Sequence, residues 1–188
     1  STPKPSSAAS DVYKRQLMGR YLPPRFGLVP RALAWGFLGI CITLAFMIFS
    51  AGVPLAMSRI GMDWAARALA GPFGTEKLLT AFAISLCLNT LFAPVLMVAH
   101  KVSDLHIARY EGTLRCLWHL PDVGGLLKSV NWDVMWRLVL FRTVVFFWIP
   151  VHTITFLLPE AFRVLFAALL GAVLGLILAW AGSRQAKG

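Results

Sequence analysis

The chain has 188 residues, of which 58% are hydrophobic and only 14% are charged, and its formal net charge is +10. An ordinary soluble domain carries about 25% charged residues, so this composition excludes a water-soluble fold and favours an integral membrane protein. The basic residues are scattered at the ends of apolar runs and form no stripe, which argues against nucleic acid as a partner. They fit flanking Lys and Arg that meet water and head groups, so the expected partner is a lipid bilayer.

The first sixteen residues differ from the rest of the chain. They are rich in Ser, Pro, Ala and Lys and show no apolar period. The stretch from Ser6 to Gln16 resembles translated adapter sequence from assembled reads. We therefore expect residues 1–16 to be a disordered tail that is not native, and residues 17–188 to form a single membrane domain.

Four apolar stretches follow, near residues 32–57, 78–99, 138–158 and 162–180, each close to the roughly 20 residues that cross a bilayer. The first is long for one crossing, and Pro54 predicts either a tilt or a break there. The last two are separated by little more than Pro159 and Glu160, so their helices must run antiparallel. We predict an all-α integral membrane protein with four transmembrane helices, of which spans two to four form an antiparallel bundle, and no cofactor.

The distribution of basic residues predicts the orientation. With four spans, the side that holds both termini and the 100–137 loop carries ten Lys and Arg outside the tail: Arg20, Arg25, Arg31, Lys101, Arg109, Arg115, Lys128, Arg137, Arg184 and Lys187. The other side carries four: Arg59, Arg67, Lys77 and Arg163. The positive-inside rule places both termini in the cytoplasm, or in the matrix of a mitochondrion.

The loop between spans two and three has a mixed composition. Leu114–Trp136 combines Leu, Trp and Val with Arg, His, Asp and Lys. It is interpreted either as a partly interfacial amphipathic stretch, broken at Pro121 and at Gly124-Gly125, or as a plain soluble loop.

Span four carries small residues at a spacing of four, which places them on one helix face: Ala167, Gly171, Gly175 and Ala179. Such a face lets another backbone approach closely. It predicts packing within the chain, because the short hairpin already supplies a partner helix. The alternative is a homo-oligomer that uses the same face.

Polar side chains inside the predicted spans are costly in a membrane and indicate where function is to be sought. Among them are Asn89 in span two and Arg142, His152, Thr153 and Thr155 in span three. An antiparallel arrangement brings Asn89 near the level of Pro150. These groups either line a hydrated path or only join helices by hydrogen bonds, and Arg142 alternatively extends to the head groups.

A weak metal candidate follows span two. His100 and Asp104 share a helix face, and His106 lies close by in sequence, but no further ligand is tied to them by spacing. The chain has no GxSxG, P-loop, HExxH or GxGxxG motif, so no catalytic residue is assigned.

Two segments resemble a known family. Asn89-Thr90-Leu91-Phe92-Ala93-Pro94 is similar to the polar-x-x-Phe-Ala-Pro segment of the small membrane proteins named for the twenty-two-kilodalton peroxisomal membrane protein and Mpv-seventeen, where the polar residue is usually Gln. The family's C-terminal signature is matched in order by Trp148, Pro150, His152, Thr155-Phe156, Pro159, Phe162 and Arg163, with His152 in the place of Gln and Thr155 in the place of Asn.

The resemblance covers about half of the chain and identifies it as a distant bacterial relative. It implies a four-span protein that forms a weakly selective channel for small solutes. The expected location is a bacterial inner membrane, with a mitochondrial or peroxisomal membrane as the alternative.

Three functional hypotheses result. The first is a small-solute channel, not an enzyme, whose polar path is set by Asn89, Arg142, His152, Thr155 and Arg163. The second is a membrane scaffold or assembly factor that holds a partner through the Leu114–Trp136 loop. The third is a membrane enzyme with a metal near His100.

Overall fold

A computed structural model describes residues 27–159, 161–163, 165–166 and 169–170. These residues form helices and connecting turns without a strand, which confirms the all-α prediction for the described part of the chain. The helices are α1 (Leu28–Arg59), α2 (Ala65–Ala68), α3 (Thr75–Arg109), α4 (Val123–Lys128) and α5 (Trp132–Leu157), and a 3₁₀ turn covers Leu114–Trp118.

Three of these helices, α1, α3 and α5, are long and apolar enough to cross a membrane, with 32, 35 and 26 residues. Their outward faces carry large apolar side chains such as Phe37 (66% exposed) and Phe146 (70% exposed). Monomeric soluble proteins rarely leave such continuous apolar surface in water, whereas lipid covers it without cost. These three helices support the membrane class that the composition predicts.

The predicted fourth span lies mostly outside the described residues. Residues 161–163, 165–166 and 169–170 are helical. The small-residue positions Ala167, Gly171, Gly175 and Ala179 lie outside the described residues, as does the tail at residues 1–16.

Pro54 does not break α1, which runs through it from Leu28 to Arg59. A proline inside a helix removes one backbone donor and leaves the carbonyl four residues earlier, here that of Ser50, without its helical partner. The Ser58 hydroxyl donates to the Pro54 carbonyl at 3.1 Å, one turn further along the helix. The sequence predicts either a tilt or a break at Pro54, and the structure shows no break.

The loop predicted at 100–137 is shorter in the structure, because α3 continues to Arg109 and α5 already begins at Trp132. The extension of α3 buries Val102, His106 and Ile107. Their spacing, four residues and then one residue, keeps them on one face of the helix, although the charged residues of this segment end the apolar run of the sequence. Asn131 is the N-cap residue of α5, and its side-chain oxygen accepts a hydrogen bond from the Val134 N–H at 3.1 Å.

Gly124-Gly125 does not break the chain as predicted but lies inside the short helix α4. The Asp122 carboxylate, immediately before α4, accepts a hydrogen bond from the Gly125 N–H at 3.0 Å. This N-cap satisfies a donor that the helix itself leaves free, and it allows a helix to begin in spite of two glycines.

Two stretches have π-helical hydrogen bonding, in which the N–H group bonds to the fifth residue before it. They are Leu88–Phe92 within α3 and Met135–Trp148 within α5. The Ala93 N–H accordingly donates to the Leu88 carbonyl, and the Ile149 N–H donates to the Val144 carbonyl. Short π segments inside α-helices are often found at functional sites.

The chain divides into two compact units. One contains the described residues up to Gly39 together with Ala99–Val130. In it Gly27 (φ +89°) lies close to the Gly112 backbone, since a Cβ on Gly27 would be 3.2 Å from the Gly112 Cα. The other contains Ile40–Val98 and the described residues from Asn131 onward, and its core consists of Ala45, Ala81, Ile84, Leu88 and Phe156.

Candidate functional site

The candidate site is a buried polar network that joins α3 to α5. On α3, Ser85 and Asn89 are four residues apart, so they lie on one face, and both are almost completely buried (0% and 1% exposed). The Asn89 amide nitrogen donates to the Ser85 carbonyl at 2.8 Å and lies 3.2 Å from the Ser85 hydroxyl oxygen. These contacts hold the amide group in one position against its own helix.

On α5, the first group that belongs to the network is the carbonyl of Ile149. It accepts hydrogen bonds from the Ser85 hydroxyl at 2.7 Å and from the Thr153 hydroxyl at 2.7 Å. Ser85 therefore provides a direct hydrogen bond between α3 and α5.

The second link between the helices joins Asn89 to His152. The Asn89 amide nitrogen lies 2.9 Å from the His152 Nδ1 atom, and the amide oxygen lies 3.2 Å from it. When Nδ1 is unprotonated, it accepts from the amide nitrogen; when it carries a proton, it donates to the amide oxygen. The pair thus keeps a hydrogen bond in either tautomer of the imidazole.

Aromatic rings surround His152. Phe46 of α1 meets the imidazole edge-to-face with ring centroids 5.1 Å apart, and the Trp148 ring lies 5.2 Å away. Phe46 also stacks on Phe156 at 5.1 Å. Every buried side-chain nitrogen and oxygen in the described part of the chain has a hydrogen-bond partner. The buried polar atoms of the network are therefore satisfied, while His152 itself is partly exposed.

The other residues of the predicted polar path lie apart from this network. The Thr155 hydroxyl donates to the Val151 carbonyl of its own helix at 2.9 Å. Arg142 is exposed and lines a surface depression with Trp136 and Phe146, so the structure does not bring it to Asn89.

Arg163 is engaged at the end of α5. Its Nε atom donates to the Leu158 carbonyl at 3.1 Å, and one terminal nitrogen donates to the Phe156 carbonyl at 3.4 Å. The guanidinium also lies 5.9 Å from the centre of the Phe156 ring. The last carbonyls of a helix lack intrahelical donors, so Arg163 supplies what the helix end requires.

The weak metal candidates belong to the other compact unit. The His100 Nε2 and Asp104 carboxylate atoms are 3.7 Å apart, and Asp104 also lies 4.0 Å from Arg31. His106 instead directs its Nε2 atom to the Cys116 carbonyl at 2.9 Å. In the part of the chain that the structure describes, no three His, Cys, Asp or Glu side chains converge as metal ligands would.

Sequence reasoning missed Ser85 and the aromatic rings around His152. The spacing of Ser85 and Asn89 is a usable signal, because it places two polar groups on the same face of an apolar helix. Phe46 has no such signal, since one phenylalanine among many in α1 is not distinguished by its sequence.

Comparison of the chain with protein-family models, curated proteins and solved structures finds no match.

Proposed function

We propose that this protein is a small polytopic membrane protein that passes small solutes, and that the contact between Asn89 and His152 controls the passage. The observation that carries the proposal is the hydrogen bond between these side chains, which joins two helices long enough to cross a membrane. Ionisable and polar groups at such depth are expensive and typically belong to a transport pathway or a relay.

In this proposal the arrangement described above is the closed state. Asn89 is 1% exposed, and its donors are occupied by Ser85 and His152, so a solute must replace one of these hydrogen bonds to pass. Water or a small polar solute offers the same donors and acceptors, so exchanging one hydrogen bond for another costs little free energy. The imidazole retains a partner in either tautomer while the exchange takes place.

The proposal includes the finer architecture predicted from the sequence. The apolar stretch at residues 162–180 forms a fourth span that completes the bundle, and both termini lie on the side richer in Lys and Arg. A distant relationship to the Mpv-seventeen family accords with this architecture, because two short segments resemble its motifs. Arg142 then contacts head groups rather than the path, since its side chain is exposed.

Conductance of the purified chain in planar bilayers tests the proposal. We expect conductance above that of empty bilayers, and Asn89→Leu should raise it by about fivefold, because it removes a hydrogen bond of about 1 kcal/mol that a solute must otherwise replace. Thr90→Val is the matched control, because Thr90 is exposed and its hydroxyl donates to the Leu86 carbonyl of its own helix. Absence of conductance at several pH values contradicts the proposal, as does an equal effect of the two substitutions.

A second candidate is a scaffold that holds a partner through the segment between α3 and α5. It is favoured by two strongly exposed apolar side chains, Trp118 (85%) and Leu120 (96%). Large continuous exposed apolar patches are typical of interaction sites. Cross-linking from residue 120 in native membranes should then capture a protein partner, and partners that stay bound when residues 114–120 are replaced by a glycine-serine linker would exclude this candidate.

A further inference from the structure

A cavity of about 550 Å³ lies in the connection between α1 and α3, and its lining ends about two helical turns before Ser85 of the Asn89 network. It is formed by α2, the residues after it and the first turn of α3. Its volume falls within the range of about 300–1,000 Å³ that is usual for ligand pockets. The side chains and backbone that matter for its chemistry belong to Trp64, Arg67, Phe73, Gly74, Glu76 and Lys77.

The α2 side of this cavity is held by packing. Ala65 and Ala68 of α2 are buried, and Leu69 packs against the hydrophobic core of the same compact unit. The Lys77 ammonium donates to the Gly71 carbonyl at 3.0 Å, which holds the charged end of the side chain at the cavity. An ammonium has three N–H donors, so two of them remain for a ligand.

The lining is basic overall. It contains the cations of Arg67 and Lys77 and the single carboxylate of Glu76, a net charge of +1. Within the described residues the Arg67 side chain forms no ion pair, so its five donors are available. A guanidinium with an adjacent ammonium binds the oxygens of a phosphate group well.

The position of the cavity indicates the source of the ligand. It connects two helices that are long and apolar enough to cross a membrane, so it lies where the hydrocarbon ends and the head groups begin. Trp64 and Phe73 line it, and aromatic rings beside basic side chains are typical of this region. We propose that this cavity binds a phosphate ester, with Arg67 and Lys77 as the anion ligands and an anionic phospholipid as its carrier.

Gly74 offers a test that separates binding from folding. It precedes α3 in an extended conformation, and a Cβ built on it meets no atom within 4 Å. Asp and Asn are equally good N-cap residues and differ little from Gly in helix stability. Gly74→Asp therefore adds one negative charge to the cavity, whereas Gly74→Asn adds a similar shape without charge.

The experiment is native mass spectrometry of the full chain in detergent, titrated with phosphatidylglycerol, with phosphatidylcholine of the same acyl chains, or with inorganic phosphate. We expect phosphatidylglycerol to bind more tightly than phosphatidylcholine, and both Arg67→Gln and Gly74→Asp to weaken it about fivefold. Gly74→Asn and Arg59→Gln, which removes an exposed arginine that does not line the cavity, should leave the affinity unchanged.

Two further arms decide the outcome. Displacement of the lipid by millimolar inorganic phosphate would show that the cavity recognises the phosphate group itself, and lipid that stays bound would show that the whole head group is needed; both support the site. Equal affinity for the two lipids, or equal effects of Arg67→Gln and Arg59→Gln, would overturn the proposal.

Discussion

The hydrogen bond between Asn89 and His152 can be measured as a coupling between two helices. The perturbation is Asn89→Leu, which keeps the branching of the side chain at Cγ and removes its amide. Asn89 is 1% exposed, so no water is at hand to replace the lost group, and His152 Nδ1 loses a partner at 2.9 Å. The single substitution also removes the bond to the Ser85 carbonyl, so it cannot by itself isolate the contact between the helices.

The magnitude follows from the environment of the pair. Hydrogen bonds between membrane helices contribute about 0.6 kcal/mol on average and about 1.7 kcal/mol at most, because the unfolded chain in the membrane also finds partners. The nearly complete burial of Asn89 and the short distance place this pair in the upper part of that range. We expect a coupling energy of about 1 to 1.5 kcal/mol.

A double-mutant cycle with Asn89→Leu and His152→Leu supplies this number, with the free energy of unfolding measured by SDS titration in mixed micelles. Thr90→Val combined with His152→Leu is the control cycle and should be additive, because the Thr90 hydroxyl bonds to its own helix. A coupling for Asn89 and His152 within the scatter of about 0.5 kcal/mol that independent sites show would refute the reasoning.

Three further predictions concern other parts of the chain. Arg163→Gln removes a charged donor from the last carbonyls of α5 and should lower the free energy of unfolding in SDS titration by about 1.5 kcal/mol; no change would contradict its capping role. Gly27→Ala places a side chain at φ +89° and should cost about 1–2 kcal/mol, seen as faster hydrogen exchange in the first turn of α1. Gly36→Ala, where the structure leaves open space, should not speed exchange, and equal effects would reject the explanation. In chains whose native cysteines are replaced by serine, Leu120→Cys and Phe73→Cys should react with a membrane-impermeant maleimide from opposite sides of the membrane. Labelling of both cysteines from the same side would overturn the predicted orientation of the chain.

The apolar periods of the sequence were sufficient to predict the membrane class and the cores of α1, α3 and α5. They failed at helix ends, because hydropathy falls where charges begin even if the helix continues. Residues 100–109 illustrate this: Val102, His106 and Ile107 stay buried while charged residues occupy the outward side. A hydropathy window detects the point where charged residues begin, and it does not show whether the helix continues beyond that point.

The site was predictable in part. The level of Asn89 relative to Pro150 follows from antiparallel helices of known rise, and the structure places Asn89 against His152. The role of Arg163 could not be predicted, because it depends on where α5 ends, which lets the guanidinium reach carbonyls five and seven residues earlier. The π segments also leave no sequence signal, since they change the hydrogen-bond partner and not the residue pattern.

The π turn at Leu88–Phe92 has a consequence for how α3 tolerates changes in length. Each α-helical residue adds about 100° of rotation, so the loss of one residue from a regular helix turns everything beyond it away from its former face. A π turn holds one residue more than the α turn it replaces, and the loss of the exposed Thr90 would only restore regular α geometry. This turn is therefore the place in α3 where the chain can shorten by one residue while Ala93–Arg109 keeps the same buried face.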